Sequence, residues 1–137
     1  MGGYPGALAA LSVLAVLGAA AYWRRAGFRH RALSRLRRLE RRWRRDGDLL
    51  ALLGGLSRLL RDTAVRVARQ PSVAGLSGSA WLAWLDEAGA TRGFSHGPGR
   101  VLRHGPYRPE ADPEEVDVPA LLALVRQWLR TVPRRVG

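Results

Sequence analysis

The chain contains no cysteine and no lysine. Without cysteine there are no disulfides, no thiolate metal ligands and no cysteine nucleophile. Without lysine all 23 basic residues are arginine. A bias of that extent, beside abundant alanine, glycine and leucine, reflects codon composition more readily than a demand for bidentate recognition. A third absence is positional: no charged side chain occurs from Tyr4 to Trp23.

Immediately after that apolar run come eleven arginines between Arg24 and Arg45. The twenty residues from Tyr4 to Trp23 would make about 30 Å of helix, the thickness of a hydrocarbon core. Tyr4, Tyr22 and Trp23 stand where interfacial aromatics belong, and the positive-inside rule puts the arginine flank in the cytoplasm and the N-terminus outside. A cleaved signal peptide is the alternative, since Ala19, Ala20 and Ala21 offer a small-residue cleavage site. Against it, no basic residue precedes the apolar run, and eleven arginines would have to be translocated. The expected organisation is a transmembrane anchor over 1–23, an arginine-rich juxtamembrane helix over 24–45 and a cytoplasmic helical domain over 46–137. The expected orientation leaves that domain on the cytoplasmic side of the membrane.

The net charge of +12 over 137 residues is local. Residues 24–45 carry eleven arginines and one glutamate, whereas 46–137 carry twelve arginines and ten acids. Nucleic-acid binding fails on that distribution. The basic stretch stays within about 33 Å of the membrane surface even as an upright helix, with only Phe28 and Trp43 able to stack on bases.

Helical periodicity puts Phe28, Ala32, Leu33, Leu36, Leu39 and Trp43 in one arc and Arg31, Arg35, Arg38, Arg41, Arg42 and Arg45 opposite. Two readings follow. The apolar stripe packs on the protein's own domain and the arginines are a solvated, topology-fixing face; or the helix lies along anionic lipid, with Arg24 and Arg25 extending the lipid-facing set.

Asp46, Gly47 and Asp48 interrupt the pattern, and Asp48 is the expected N-cap of the next helix, about Leu49 to Ala68. Its buried side would hold Leu49, Leu52, Leu53, Leu56, Leu59, Leu60, Ala64 and Val67, while Arg58, Asp62 and Arg66 pair along its outer side. Gly54 and Gly55 predict a close helix approach or a break. Ser77 then caps a short helix carrying Trp81, Leu82, Trp84 and Leu85, ended by Gly89. The two tryptophans anchor a core or face a partner.

Residues 89–116 read as a long loop from their glycines and prolines. Phe94, Leu102 and Tyr107 are spaced to tack it onto the helices. Five acids between Glu110 and Asp117 precede a last helix from Pro119 to about Thr131, with Leu121, Leu124, Val125 and Trp128 inward and Pro133 as its stop. The fold class is all-α: a single N-terminal transmembrane helix, a basic juxtamembrane amphipathic helix and a small cytoplasmic helical bundle with one long loop.

Chemistry is absent from the motifs. His96 and His104 share the loop with carboxylates but lack ligand spacing. Gly97 and Gly99 around Pro98 lack the lysine and preceding strand of a phosphate loop. Ser77 and Ser79 lack a hydrolase elbow. The expectation is a non-enzyme with no cofactor and no small-molecule substrate.

One ordered string carries a resemblance: Leu76, Ser77, Gly78, Trp81, Leu82, Leu85 and Asp86, followed by Phe94, Gly97, Pro98, Gly99, Leu102, Pro106 and Tyr107. In this order they resemble an uncharacterised bacterial family of small membrane proteins, domain of unknown function 4381. The resemblance covers most of the chain and is encoded, in that family, beside MoxR-type AAA ATPases and Bat-type proteins with von Willebrand A domains. It implies no catalytic residue. It implies a setting: an adaptor or scaffold whose protein partners are a MoxR-type ATPase and von Willebrand A-domain membrane proteins. The alternative is a module that binds anionic headgroups of the lipid bilayer through its arginines.

Overall fold

Alanine, leucine and arginine, the residues that lose least on entering a helix, fill the first third of the chain. They form one unbroken helix, α1 (Pro5–Asp46), in the computed structural model, which describes residues 5–107 and 115–135. At 42 residues α1 is about 63 Å long. Neither Gly27 nor the change from apolar to basic composition interrupts it, so the anchor and the arginine stretch form a single element.

A two-residue link returns the chain against α1. Gly47, at φ +63, takes the left-handed turn and donates its N–H to Trp43 O at 2.8 Å, closing the helix end. Asp48 caps α2 (Leu49–Ala68), its carboxylate accepting the Ala51 N–H at 3.0 Å. The leucine face of α2 is buried as its periodicity predicts, with Val67 half-buried. Gly54 and Gly55 do not break the helix. A Cβ on Gly55 would collide with the Leu39 side chain, so the glycine pair admits α1 at close range.

A 3-10 helix (Pro71–Gly75) leads to α3 (Gly78–Gly89), then α4 (Gly93–His96) and a 3-10 stretch (Pro98–Tyr107). Within the region expected as loop, Gly93–His96 and Pro98–Tyr107 are therefore wound into short helical turns. Glycines permit this: a Cβ on Gly97 would lie 2.9 Å from Gly93 O, and one on Gly99 2.8 Å from Phe94 Cα. The last helix, α5 (Val118–Arg135), is longer than expected. Asp117 caps it by accepting the Ala120 N–H at 3.1 Å. Pro133 does not stop it: the helix runs on to Arg135. Glu110, Asp112 and Glu114 lie outside the described residues.

Helices α1, α2, α3 and α5 enclose one core, which includes Leu36, Leu56, Leu60, Trp81, Leu85, Phe94, Val125 and Trp128. Ala32 and Leu36 belong to it, with Leu33, Leu39 and Trp43 packed alongside. The unit that packs together thus begins well before residue 46. Among the described residues there is no strand. Leu8, Leu11, Val13, Leu14, Val16, Leu17, Tyr22 and Trp23 project from the other half of α1, each more than half exposed.

Candidate functional site

The arginine face of α1 and the tryptophan cluster are the two surfaces that the sequence singles out. On α1, Arg24, Arg25, Arg31, Arg38, Arg41, Arg42 and Arg45 are exposed and Arg35 is half-buried. Arg35 pairs with Asp62 of α2 at 3.1 Å, and Arg42 and Arg45 both meet Asp46, at 3.7 and 3.1 Å. Asp62 therefore bridges to α1 and does not serve the pairing along α2 expected with Arg58 and Arg66. Arg66 instead lies over the Phe28 ring, 5.5 Å from its centroid. Arg24, Arg38 and Arg41 make no ion pair among the described residues.

Glu40, the one acid of the basic stretch, binds Arg44 at 2.8 Å and Arg126 of α5 at 3.0 Å. With Glu40 only 16% exposed, this is the most enclosed ion pair among the described residues and ties α5 to α1. Sequence reasoning had no signal for it, since the partners lie 86 residues apart.

Between α1 and α2, at the end nearer the apolar run, lies a cleft of about 630 Å³. Arg31, Arg35, Arg61 and Arg66 line it together with one acid, Asp62, and the Phe28 ring. Its charged groups sum to +3.

The tryptophan cluster is built around α3. Trp81 is buried, stacks parallel to Trp84 at 6.0 Å, and carries the Arg61 guanidinium 4.3 Å above its ring. Arg61 also donates to Ala74 O and Leu76 O at 2.9 and 2.7 Å, fastening the entry to α3. Trp84 is half-buried and reaches Trp128, which meets Phe94 edge-on at 6.5 Å and donates its indole N–H to Leu85 O at 2.9 Å. Phe94 is fully buried. The Tyr107 backbone closes the 3-10 stretch; its side chain, like that of His104, lies outside the described residues.

Two local expectations need correction. Ser77 occupies the cap position of α3 but its hydroxyl makes no capping bond. The turn is made by Gly78 at φ +56, and Trp81 N–H bonds Ser77 O at 3.3 Å. Gly89 does not terminate α3 in a left-handed conformation; Ala90 does, at φ 51. Gly89 is needed for space, because a Cβ there would press on the Trp128 ring. The residue missed outright is Asp86. Its two carboxylate oxygens accept the Phe94 and Ser95 N–H groups at 2.9 and 3.0 Å, capping α4.

Among the described residues no group of three or more His, Cys, Asp or Glu side chains is placed to hold a metal ion. What the arrangement offers is surface: guanidinium groups on α1 and around the cleft, and the exposed edge of Trp84.

Among the described residues the structure is all-helical, with one helix, near the N-terminus, long and apolar enough to cross a membrane. Residues 3–131 match the family described as Domain of unknown function (DUF4381), and the chain belongs to that family. No curated protein and no solved structure matches it. The residues on which the resemblance rests are structural in this fold: Trp81, Leu82, Leu85, Phe94 and Leu102 are core, Asp86 caps α4, and Gly97 and Gly99 allow close packing.

Proposed function

We propose that this chain is a single-pass protein of the bacterial inner membrane whose helical domain lies in the cytoplasm and serves as an adaptor or scaffold. Its partners in this reading are a MoxR-type ATPase and von Willebrand A-domain membrane proteins. The observation that carries the proposal is the continuity of α1, which runs from the exposed apolar residues into the core at Ala32 and Leu36 without a break. A domain held on such a helix keeps a fixed height and orientation above a bilayer, as a docking platform requires. The eleven arginines that follow the apolar run support a cytoplasmic domain.

The test is affinity isolation of the full-length chain from its own membranes in mild detergent. The proposal expects the ATPase and A-domain proteins to co-isolate, and Trp84→Ala, which alters a half-buried edge, to weaken their recovery more than it lowers thermal stability. Recovery of neither partner from membranes that contain both contradicts the adaptor role. A second reading, anionic-lipid binding, is favoured by the basic cleft beside the anchor.

A further inference from the structure

The cleft between α1 and α2 differs from the rest of the arginine face in its level and its composition. Arg31 sends its guanidinium back along α1, with Nε donating to Gly27 O at 3.4 Å, the direction in which helical side chains lean. The Arg66 guanidinium sits over Phe28. Both groups are therefore at the level of residues 27 and 28, four to five residues past Trp23. At ~1.5 Å per residue that is about 6–8 Å beyond the end of the apolar run. The polar headgroup layer occupies roughly the first 5–7 Å outside the hydrocarbon on each side. The two guanidinium groups thus lie at the outer edge of the headgroup layer, within reach of lipid phosphates.

The composition selects among lipids. Asp62 is the one acid lining the cleft, and its carboxylate is engaged by Arg35 at 3.1 Å. With four arginines against that one paired carboxylate, the cleft carries +3 and disfavours the ammonium of a zwitterionic headgroup. A phosphodiester without an attached cation meets a lining in which guanidinium groups outnumber the single carboxylate four to one, and arginine binds phosphate through paired N–H donors.

We propose that the cleft is a binding site for the headgroup of one anionic phospholipid, its phosphate held by Arg31 and Arg66 and its acyl chains in the bilayer beside α1. The inference rests on the reading of α1 as a membrane anchor. It goes further than diffuse attraction, which treats every surface arginine alike.

The test uses the full-length chain in nanodiscs of phosphatidylcholine with a minor fraction of phosphatidylglycerol, read by native mass spectrometry as lipid retained per chain. The expected result is selective retention of one phosphatidylglycerol. Arg31→Gln with Arg66→Gln should lower that selectivity roughly tenfold or more, as loss of charge-assisted hydrogen bonds implies. Arg38→Gln with Arg41→Gln, two to three helical turns further from the anchor, should change it less than about twofold. Arg31→Gln alone guards against misfolding, since Arg31 is exposed and bonds within its own helix; a several-fold loss is expected with an unchanged melting curve. Equal losses for both double variants overturn the site in favour of diffuse attraction. Absence of selective retention in an inserted chain overturns it as well, and so does displacement of the lipid by millimolar inorganic phosphate. Failure of the wild-type chain to enter the nanodisc is a different result: it removes the anchor reading and this inference with it.

Discussion

The two halves of α1 obey opposite rules. Over residues 6–23 large apolar side chains are exposed and none is charged; from Ala32 onward the apolar side chains are packed and the arginines, apart from half-buried Arg35, are exposed. A contiguous exposed patch of Leu, Val, Tyr and Trp in water is an aggregation hazard, whereas in lipid it is the outer surface of an anchor. In the proposed reading one helix serves two solvents. The boundary between them is marked by chemistry, at Trp23 and Arg24, and not by any change in backbone.

The comparison can be broken from either side. Trp128→Ala removes a buried indole that meets Phe94 and bonds Leu85 O. It should cost about 3–5 kcal/mol, most of the stability of a small domain. Thermal unfolding by circular dichroism in detergent micelles should show the loss, while resistance to alkaline carbonate extraction stays unchanged. If extraction changes too, the halves are not independent. Leu14→Arg makes the reciprocal case. A charge at the middle of the span should oppose insertion by about 2.5–3.5 kcal/mol on the translocon scale, measured as the inserted fraction, with little change in the melting of domain that does insert.

Smaller effects sharpen the packed half. Asp86→Ala uncaps α4 and should lower stability by about 0.5–2 kcal/mol, read as a shift in melting temperature and as faster amide exchange at Phe94 and Ser95. Smallest is Asp62→Asn. Its pair with Arg35 is exposed, at 61% and 43%, so a change of about 0.2–1 kcal/mol is expected. That change should shrink as salt is added, and a salt-independent loss larger than this would show that the pair is enclosed in the working assembly.

What was legible in the sequence is what local physics determines. The α2 boundaries, its leucine face, the Asp48 cap and the tight approach at Gly55 all follow from spacing and side-chain size within one turn or one hairpin. The errors arise where a residue's role is set by something distant. Gly89 looks like a helix end, but Trp128 of another helix decides that no side chain fits there. Ser77 has cap chemistry, yet the positive φ of Gly78 makes the turn. Asp86 caps a helix eight residues on, and Glu40 finds Arg126 across the bundle. Residues 93–107 are glycine- and proline-rich enough to read as loop, because composition reports the scarcity of side chains and not the close packing that scarcity permits. Of the candidate surface, the arginines were visible as a stripe, but the cleft was not, since half of it comes from α2.

The central claim is that α1 is one helix crossing from outside through lipid into a cytoplasmic core. The cysteine-free sequence allows a direct measurement with single cysteines and a membrane-impermeant maleimide, applied to spheroplasts, inverted vesicles and detergent-treated membranes. The account predicts that Gly3→Cys is labelled from outside, Arg38→Cys only in inverted vesicles, and Leu14→Cys only after detergent. Labelling of Arg38→Cys in intact spheroplasts, or of Leu14→Cys without detergent, would contradict it.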